Sequence, residues 1–317
     1  MGGQVVTRLA PSPTGALHLG NARTFLINFL LARQRGWRVR MRVEDLDGPR
    51  VRPGSAARML DELAWLGLQW DEPVVCQSQR GEHYAAALKQ LVETGAAYPC
   101  ICSRRDIADA ASAPHGDGPV PAYPGTCRGR FADAAEATRR TGRPAAWRVR
   151  VDDAPIEVRD EFAGRREFRL AHTGGDFVIF KNDGIAAYQL AVVVDDAAAG
   201  VNAVVRADDL LESAARQIHL RRLLGITPEP TYWHLPLVVG PDGRRLAKRH
   251  GDTRLDHYRS SGASPERMLG LLGYWSGWPP QRREVDLAQL LEHFDLDRIA
   301  KTPVAFSKAD DDFLRGR

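Results

Sequence analysis

The sequence predicts an α/β protein built on an open parallel sheet, interrupted by an insertion and followed by a mainly helical end. Three observations carry this. Within the first 43 residues a strand pattern, a turn, a helical pattern and a second strand pattern follow one another, which is a βαβ unit. From about residue 98 to 145 periodicity lapses, and Cys, Pro, Gly and Ala dominate. From Ser264 onward the pattern is helical.

Residues 5–9 read as the first strand, broken by Pro11 and Pro13. A helix is expected over 21–36, with Phe25, Leu26, Phe29, Leu30 and Ala32 on its apolar face and Gly36 as its stop. Residues 37–43 alternate with period two and end at Glu44 and Asp45. Further helical patterns occupy 55–66 and 80–94. The stretch that follows fits a locally cross-linked module with a short alanine-rich helix near 132–140. Strand signals resume at 147–151, 157–162 and 177–180. A turn at Asp183-Gly184 leads through 188–194 to a strand at 201–205 and a helix at 209–224. Residues 231–239 read as one more strand, and Ser264-Pro265 and Asp286 mark later helix starts. The expected division is 1–97, an insertion at 98–175, a second half of the sheet domain at 176–240, and a loop with a helical part at 241–317.

A chain of 317 residues suits two domains with a substantial core. Hydrophobic residues at 44% and charged residues at 26% are ordinary for a soluble protein. No apolar run approaches the roughly 20 residues of a membrane span, and the N-terminus has no secretory apolar region. Four cysteines without such a leader point to a reducing cytoplasm and to metal or thiol chemistry. The net charge of +4 is compatible with a nucleic-acid partner. Only five lysines occur, which draws attention to Lys248.

Ligands of an open parallel sheet sit beyond the carboxyl ends of its strands. Here those ends deliver Arg8 and Ser12, then Glu44 and Asp45, then Arg206, Asp208 and Asp209. The run Arg8-Leu9-Ala10-Pro11-Ser12-Pro13-Thr14-Gly15 leads into His18-Leu19-Gly20-Asn21, placing backbone amides and a helix N-terminus beside an imidazole. That arrangement suits a phosphate, and Gly20 lets a nucleotide approach the backbone. Far downstream, Gly243-Arg244-Arg245-Leu246-Ala247-Lys248-Arg249 forms a cationic loop. A third constellation is Cys100-Ile101-Cys102 with Tyr123-Pro124-Gly125-Thr126-Cys127. Three sulfurs could bind Zn²⁺ with a fourth ligand, His115 being the ordinary choice from spacing. Free buried thiols remain the alternative, and Cys76 reads as structural.

The first run and the cationic loop together resemble the two ATP-handling motifs of class I aminoacyl-tRNA synthetases, and residues 5–50 are closest to the glutamyl members. The resemblance continues through Gln77-Ser78-Gln79-Arg80, 177–196, 204–225 and the loop, then thins after about 260. Full-length members continue into an anticodon-binding domain, whereas this sequence ends at Arg317. That length, with the Cys-x-Cys and Tyr-x-x-x-Cys pattern, resembles the truncated glutamyl-queuosine tRNA(Asp) synthetases. The resemblance implies a Rossmann-like class I synthetase fold with an inserted zinc-bearing module and a helical C-terminal part.

It further implies ATP-dependent, tRNA-independent activation of L-glutamate and transfer to the queuosine base in the anticodon loop of tRNA(Asp). The partners would be glutamate, ATP with Mg²⁺ and queuosine-bearing tRNA(Asp), the enzyme acting as a cytoplasmic monomer away from membranes. By the same carry-over the glutamate site falls on Arg8, Leu9, Ala10, Pro11, Ser12, Glu44, Tyr188 and Arg206. Arg8 and Arg206 can each take a carboxylate, Glu44 the ammonium, with the side-chain reader left open between the two arginines. ATP contacts fall on His18, Gly20 and Lys248, of which His18 and Lys248 would be catalytic, and the zinc ligands on Cys100, Cys102, Tyr123 and Cys127. Asn21 stands where the first motif ends in His, Arg245 for the first Lys of the second and Ala247 for its Ser. Competing readings are a shortened glutamyl-tRNA synthetase charging the tRNA 3′ end and a non-catalytic synthetase-like tRNA-binding protein.

Overall fold

The computed structural model describes residues 3–13, 15–48, 51–103, 105–107, 123–244, 246 and 251–317. In chain order β1 (Val6–Leu9), α1 (Leu19–Gln34), β2 (Arg38–Val43), α2 (Ser55–Trp65), β3 (Val75–Cys76) and α3 (Gly81–Glu93) open the fold. Next come β4 (Ala97–Cys100), α4 (Ala134–Thr141), β5 (Ala146–Val149), β6 (Ile156–Val158), β7 (Arg166–Phe168) and β8 (Phe177–Phe180). The chain continues through α5 (Tyr188–Ala198), β9 (Ala203–Ala207), α6 (Leu211–Leu223), β10 (Thr231–Leu235) and β11 (Val238–Val239). It closes with α7 (Leu255–Ser260), α8 (Pro265–Tyr274), α9 (Leu287–His293), β12 (Val304–Ala305) and α10 (Lys308–Leu314).

The parallel sheet is present. β1 pairs β2 with Val6 opposite Arg38, and β2 passes on to β3. β9 and β10 pair in parallel with Ala203 opposite Thr231. This pair lies beside β1, where the Asn202 amide donates to the Val6 carbonyl and the Val6 amide donates to Asn202 Oδ1. The βαβ rule explains the arrangement: each parallel return runs through a helix.

α1 was expected to bury one face, yet it is buried on most sides, because it runs between the sheet and the helices α8 and α9. Leu26, Ile27, Leu30 and Leu31 are almost wholly removed from water, each stabilising by roughly 1.5–3 kcal/mol. Of the two polar side chains that α1 carries inside, Arg23 and Asn28, the second is satisfied by β1. It donates to the Arg8 carbonyl at 2.9 Å and accepts from Thr7 Oγ1 at 3.0 Å.

The inserted segment forms an antiparallel sheet, β4-β5-β8, with a β6-β7 hairpin beside it. This sheet runs past residue 175 and takes in Phe177–Phe180. The alanine-rich helix is α4, capped by Asp133 and ended by Gly142 at φ 69°. The strand expected over 231–239 is two strands in different sheets. Pro236 has no amide to donate, and its free carbonyl instead accepts from the buried Arg23 at 2.7 Å. Beyond it β11 pairs in parallel with β12, a two-residue strand too short to leave a sequence signal. Ser264 and Asp286 cap α8 and α9 as expected, Asp286 through a capping box with Gln289.

Candidate active site

A cavity of about 190 Å³ opens at the carboxyl ends of β1 and β9. Arg8, Ala10, Pro11, Ser12, Glu44, Tyr188 and Arg206 all line it. Leu9 is not among the lining residues, and its side chain is wholly buried in the core. Sequence reasoning missed Asn21's neighbours Thr24 and Phe25 on α1, and Val205, Ala207 and Leu210 around Arg206. Their signal was position alone, the second turn of α1 and the end of β9 with the turn after it.

The turn after β1 is held against the end of β2. Glu44 donates its amide to the Pro11 carbonyl at 2.9 Å, and Ser12 Oγ donates to the Glu44 carbonyl at 3.2 Å. Burial raises the Glu44 carboxyl above its ordinary value, opposed by Arg42, whose Nη2 lies 3.0 Å from Glu44 Oε1. Arg42 also bonds the buried Asp196 of α5. Burial disfavours the Arg42 charge, but Asp196 and Glu44 outweigh it and the net shift is upward. Arg42, and then Arg8, hold Asp196 below its ordinary value against its own burial. Asp195 beside it accepts from Gln77 at 2.7 Å, Arg80 at 2.5 Å and Tyr84 at 2.8 Å. Neither aspartate nor Arg42 was singled out from the sequence.

The two cavity arginines differ. Arg8 has an ion-pair contact to Asp196 at 3.4 Å and donates to the Val205 carbonyl at 3.4 Å, both long. Burial lowers its pKa, opposed by Asp196 and reinforced by Arg42 and Arg206. Arg206 is closely bonded: Nε to His234 at 2.9 Å, one terminal nitrogen to Gln217 at 2.9 Å, the other to the Leu210 carbonyl at 3.2 Å. Tyr188 keeps 36% of its surface open. Desolvation of its hydroxyl, then the Glu44 charge, push its phenol above the ordinary value.

His18 caps α1 in extended conformation, with Nδ1 3.4 Å from Thr253 Oγ1. The Leu19 amide donates to the Thr253 carbonyl at 3.0 Å, and Leu255 donates to the Leu17 carbonyl at 2.9 Å. The chain leaving the cationic loop is thereby laced to the first motif. A Cβ on Gly20 would meet Val238 Cβ at 3.5 Å, an ordinary contact, so the packing of α1 on β11 does not itself require glycine here. Lys248, Arg245 and Ala247, like His115, lie outside the described residues.

Sulfur atoms of Cys100, Cys102 and Cys127 lie within 4.8 Å of one another. The Tyr123 hydroxyl is 3.3 Å from Cys100 Sγ and 3.8 Å from Cys102 Sγ. Burial, then Cys100, push the Cys102 thiol up to about 12, so a metal bound here would have to displace that proton. Arg148 Nε lies 3.4 Å from Cys100 Sγ and its head covers the Tyr123 ring at 4.0 Å, fixing the donors from outside. Three sulfurs and one oxygen fit a closed tetrahedral Zn²⁺ site.

A parallel α/β sheet with a charged cavity at its strand ends, and with Thr253 and Leu255 tied to the start of α1, is the framework of a ligand-binding α/β enzyme. The family model for the catalytic domain of class I tRNA synthetases (E and Q) matches residues 4–311. The glutamyl-Q tRNA(Asp) synthetase of Nocardia farcinica is 50% identical, over 93% of this chain and 91% of the relative. That of Symbiobacterium thermophilum is 48% identical over 94% of each. Among solved structures, a glutamate tRNA ligase from Elizabethkingia meningosepticum in complex with its amino acid aligns with a TM-score of 0.82 at 27% identity. It covers 98% of this chain and 69% of that one. The chain belongs to the class I tRNA synthetases for E and Q, within their glutamyl-Q tRNA(Asp) synthetases.

Proposed function

We propose that the chain activates L-glutamate with ATP and transfers it to the queuosine base of the tRNA(Asp) anticodon loop. The observation that carries the substrate is the pairing of two buried guanidinium groups, Arg8 and Arg206, on one small cavity with Glu44 in its wall. Glutamate has the complementary pattern, two carboxylates and one ammonium. The under-bonded Arg8 gains most from a carboxylate, while the firmly held Arg206 presents a fixed fork. Glu44 and Tyr188 add to a polar lining that also includes Ser12, Asn21, Thr24 and Asp209. Glutamine offers such a guanidinium only a neutral amide, so discrimination follows from the unpaired buried charge it would leave.

Activation is in-line attack of the glutamate α-carboxylate on the α-phosphorus of ATP, with pyrophosphate leaving. The carboxylate is already ionised, so no enzyme nucleophile or base is needed, and catalysis consists of positioning and charge stabilisation. His18 at the start of α1 and Lys248 in the loop are assigned to the triphosphate, ATP entering with Mg²⁺. Cys100, Cys102, Tyr123 and Cys127 would hold Zn²⁺, which supplies a cross-link for the inserted module. No helix among the described residues is long and apolar enough to cross a membrane; a cytoplasmic monomer is the expected form.

The test is ATP–pyrophosphate exchange without tRNA. Glutamate should support it and glutamine should not, and Arg8→Gln should raise the glutamate KM roughly tenfold with the ATP KM unchanged. Exchange that requires tRNA, or that runs equally well with glutamine, would contradict the reading.

A further inference from the structure

Arg206 is held from behind by a chain of buried side chains that does not line the cavity. Its Nε–H donates to His234 Nε2 at 2.9 Å, and His234 Nδ1–H donates to Asp160 Oδ2 at 2.6 Å. Arginine carries donors only, so the first bond makes Nε2 an acceptor and leaves the imidazole proton on Nδ1. Asp160 must then be a carboxylate. Its Oδ1 accepts the amides of Phe162 at 2.9 Å and Ala163 at 2.5 Å, and its Oδ2 accepts that of His234 at 3.0 Å. Arg206, His234 and Asp160 are 5, 1 and 6% exposed. Asp160 follows β6 in the inserted segment and docks on the main sheet through a bridge to Tyr232 of β10.

We propose that Asp160 and His234 are positioning residues for amino-acid recognition: Asp160 fixes the Nδ1–H tautomer of His234, whose Nε2 in turn aims the Arg206 fork into the cavity. This rests on the assignment of Arg206 to glutamate. The other tautomer would set an Nε2–H against the Arg206 Nε–H, two donors facing each other in a buried site. An arginine head held at Nε keeps an N–H on each terminal nitrogen beyond its bonds to Gln217 and Leu210, which is what a carboxylate needs. A histidine present only to fill the core would not require this directionality.

Asp160→Asn separates the two roles. Asparagine Oδ1 still accepts the Phe162 and Ala163 amides, but its NH₂ group faces Nδ1 and drives the imidazole proton to Nε2. The variant should fold and keep its ATP KM, while its glutamate KM rises roughly tenfold in pyrophosphate exchange. His234→Gln, which can offer an oxygen near the Nε2 position, should keep a glutamate KM close to wild type; His234→Asn, which cannot reach, should not. This pair decides the matter should Asp160→Asn not fold.

Acidity gives a second readout. The His234 ring is faced by Asp160, Arg206, the stacked Tyr232 ring and, further off, Arg8. Burial lowers its pKa, opposed by Asp160 and reinforced by Arg206, so protonation of Nε2 belongs to acidic solution. The wild-type glutamate KM should climb there, and the His234→Gln KM should stay flat. Folded Asp160→Asn with wild-type KM and pH profile, or equal behaviour of His234→Gln and His234→Asn, overturns the proposal. An Arg206→Gln control keeps the two levels apart. If it leaves the glutamate KM unchanged, the assignment of Arg206 fails; if it raises the KM while Asp160→Asn does not, only the positioning role fails.

Discussion

His18 and Thr253 stand 235 positions apart in the chain, yet His18 Nδ1 lies 3.4 Å from Thr253 Oγ1. The amide of Leu19 donates to the carbonyl of the same threonine, so the contact is a double stitch between the start of α1 and the end of the cationic loop. Arg254 completes it by a bridge to His18. The segment that follows the loop is thereby tied to the helix N-terminus that the triphosphate would face.

Lys248 is expected to act on the leaving pyrophosphate from that loop. Lys248→Ala should reduce glutamate-dependent pyrophosphate exchange by about a hundredfold or more, with thermal stability unchanged. A variant that exchanges at the wild-type rate would remove Lys248 from the chemistry.

Asp196 neutralises Arg42 and faces Arg8, all three with side chains no more than 6% exposed. Asp196→Ala leaves buried guanidinium charge uncompensated and should destabilise the fold by about 3–5 kcal/mol, read from the midpoint of urea unfolding. A loss below about 1 kcal/mol, the range of surface ion pairs, would show that water reaches these groups.

Glu62 on α2 is 1% exposed, and the backbone of Leu17 is the group that faces its carboxyl as a hydrogen-bond partner. Burial, then Asp256, raise its pKa from 4.5 to about 7. The folded chain therefore holds a proton that the unfolded chain has released between those values. Stability should fall as pH rises from about 4.5 to about 7 and level off above, a change of a few kcal/mol at most. Glu62→Gln should abolish this component and be the more stable protein at pH 8, a comparison that thermal melts at pH 5 and 8 make directly.

The strand-end residues were legible because parallel sheets deliver their ligands there: Arg8 stands near the end of the first strand pattern, and Glu44 and Arg206 just after theirs. Their partners were not. Arg42 and Asp196 are 154 positions apart, and Asp160 and His234 are 74 apart; a single sequence carries no record of such pairings. Leu9 marks a different limit, since carry-over by motif names a position without saying whether its side chain lines the cavity or is buried, as this one is. Pro236 was visible within 231–239, and its missing amide was signal enough to divide that strand.

The sulfur cluster should carry one Zn²⁺ per chain as purified, measured by atomic absorption. Cys102→Ser should lower that content and loosen the segment around β4 and α4, seen as faster proteolysis there. Wild-type protein without zinc, equally resistant to protease, would make these cysteines free core thiols.

The most direct measurement offers labelled glutamate and ATP to two tRNA pools, one from cells that make queuosine and one from cells that do not. Label should enter tRNA(Asp) of the first pool alone. Equal labelling of both pools, lost when the tRNA 3′ end is oxidised with periodate beforehand, would contradict the assignment and make the chain a shortened glutamyl-tRNA synthetase.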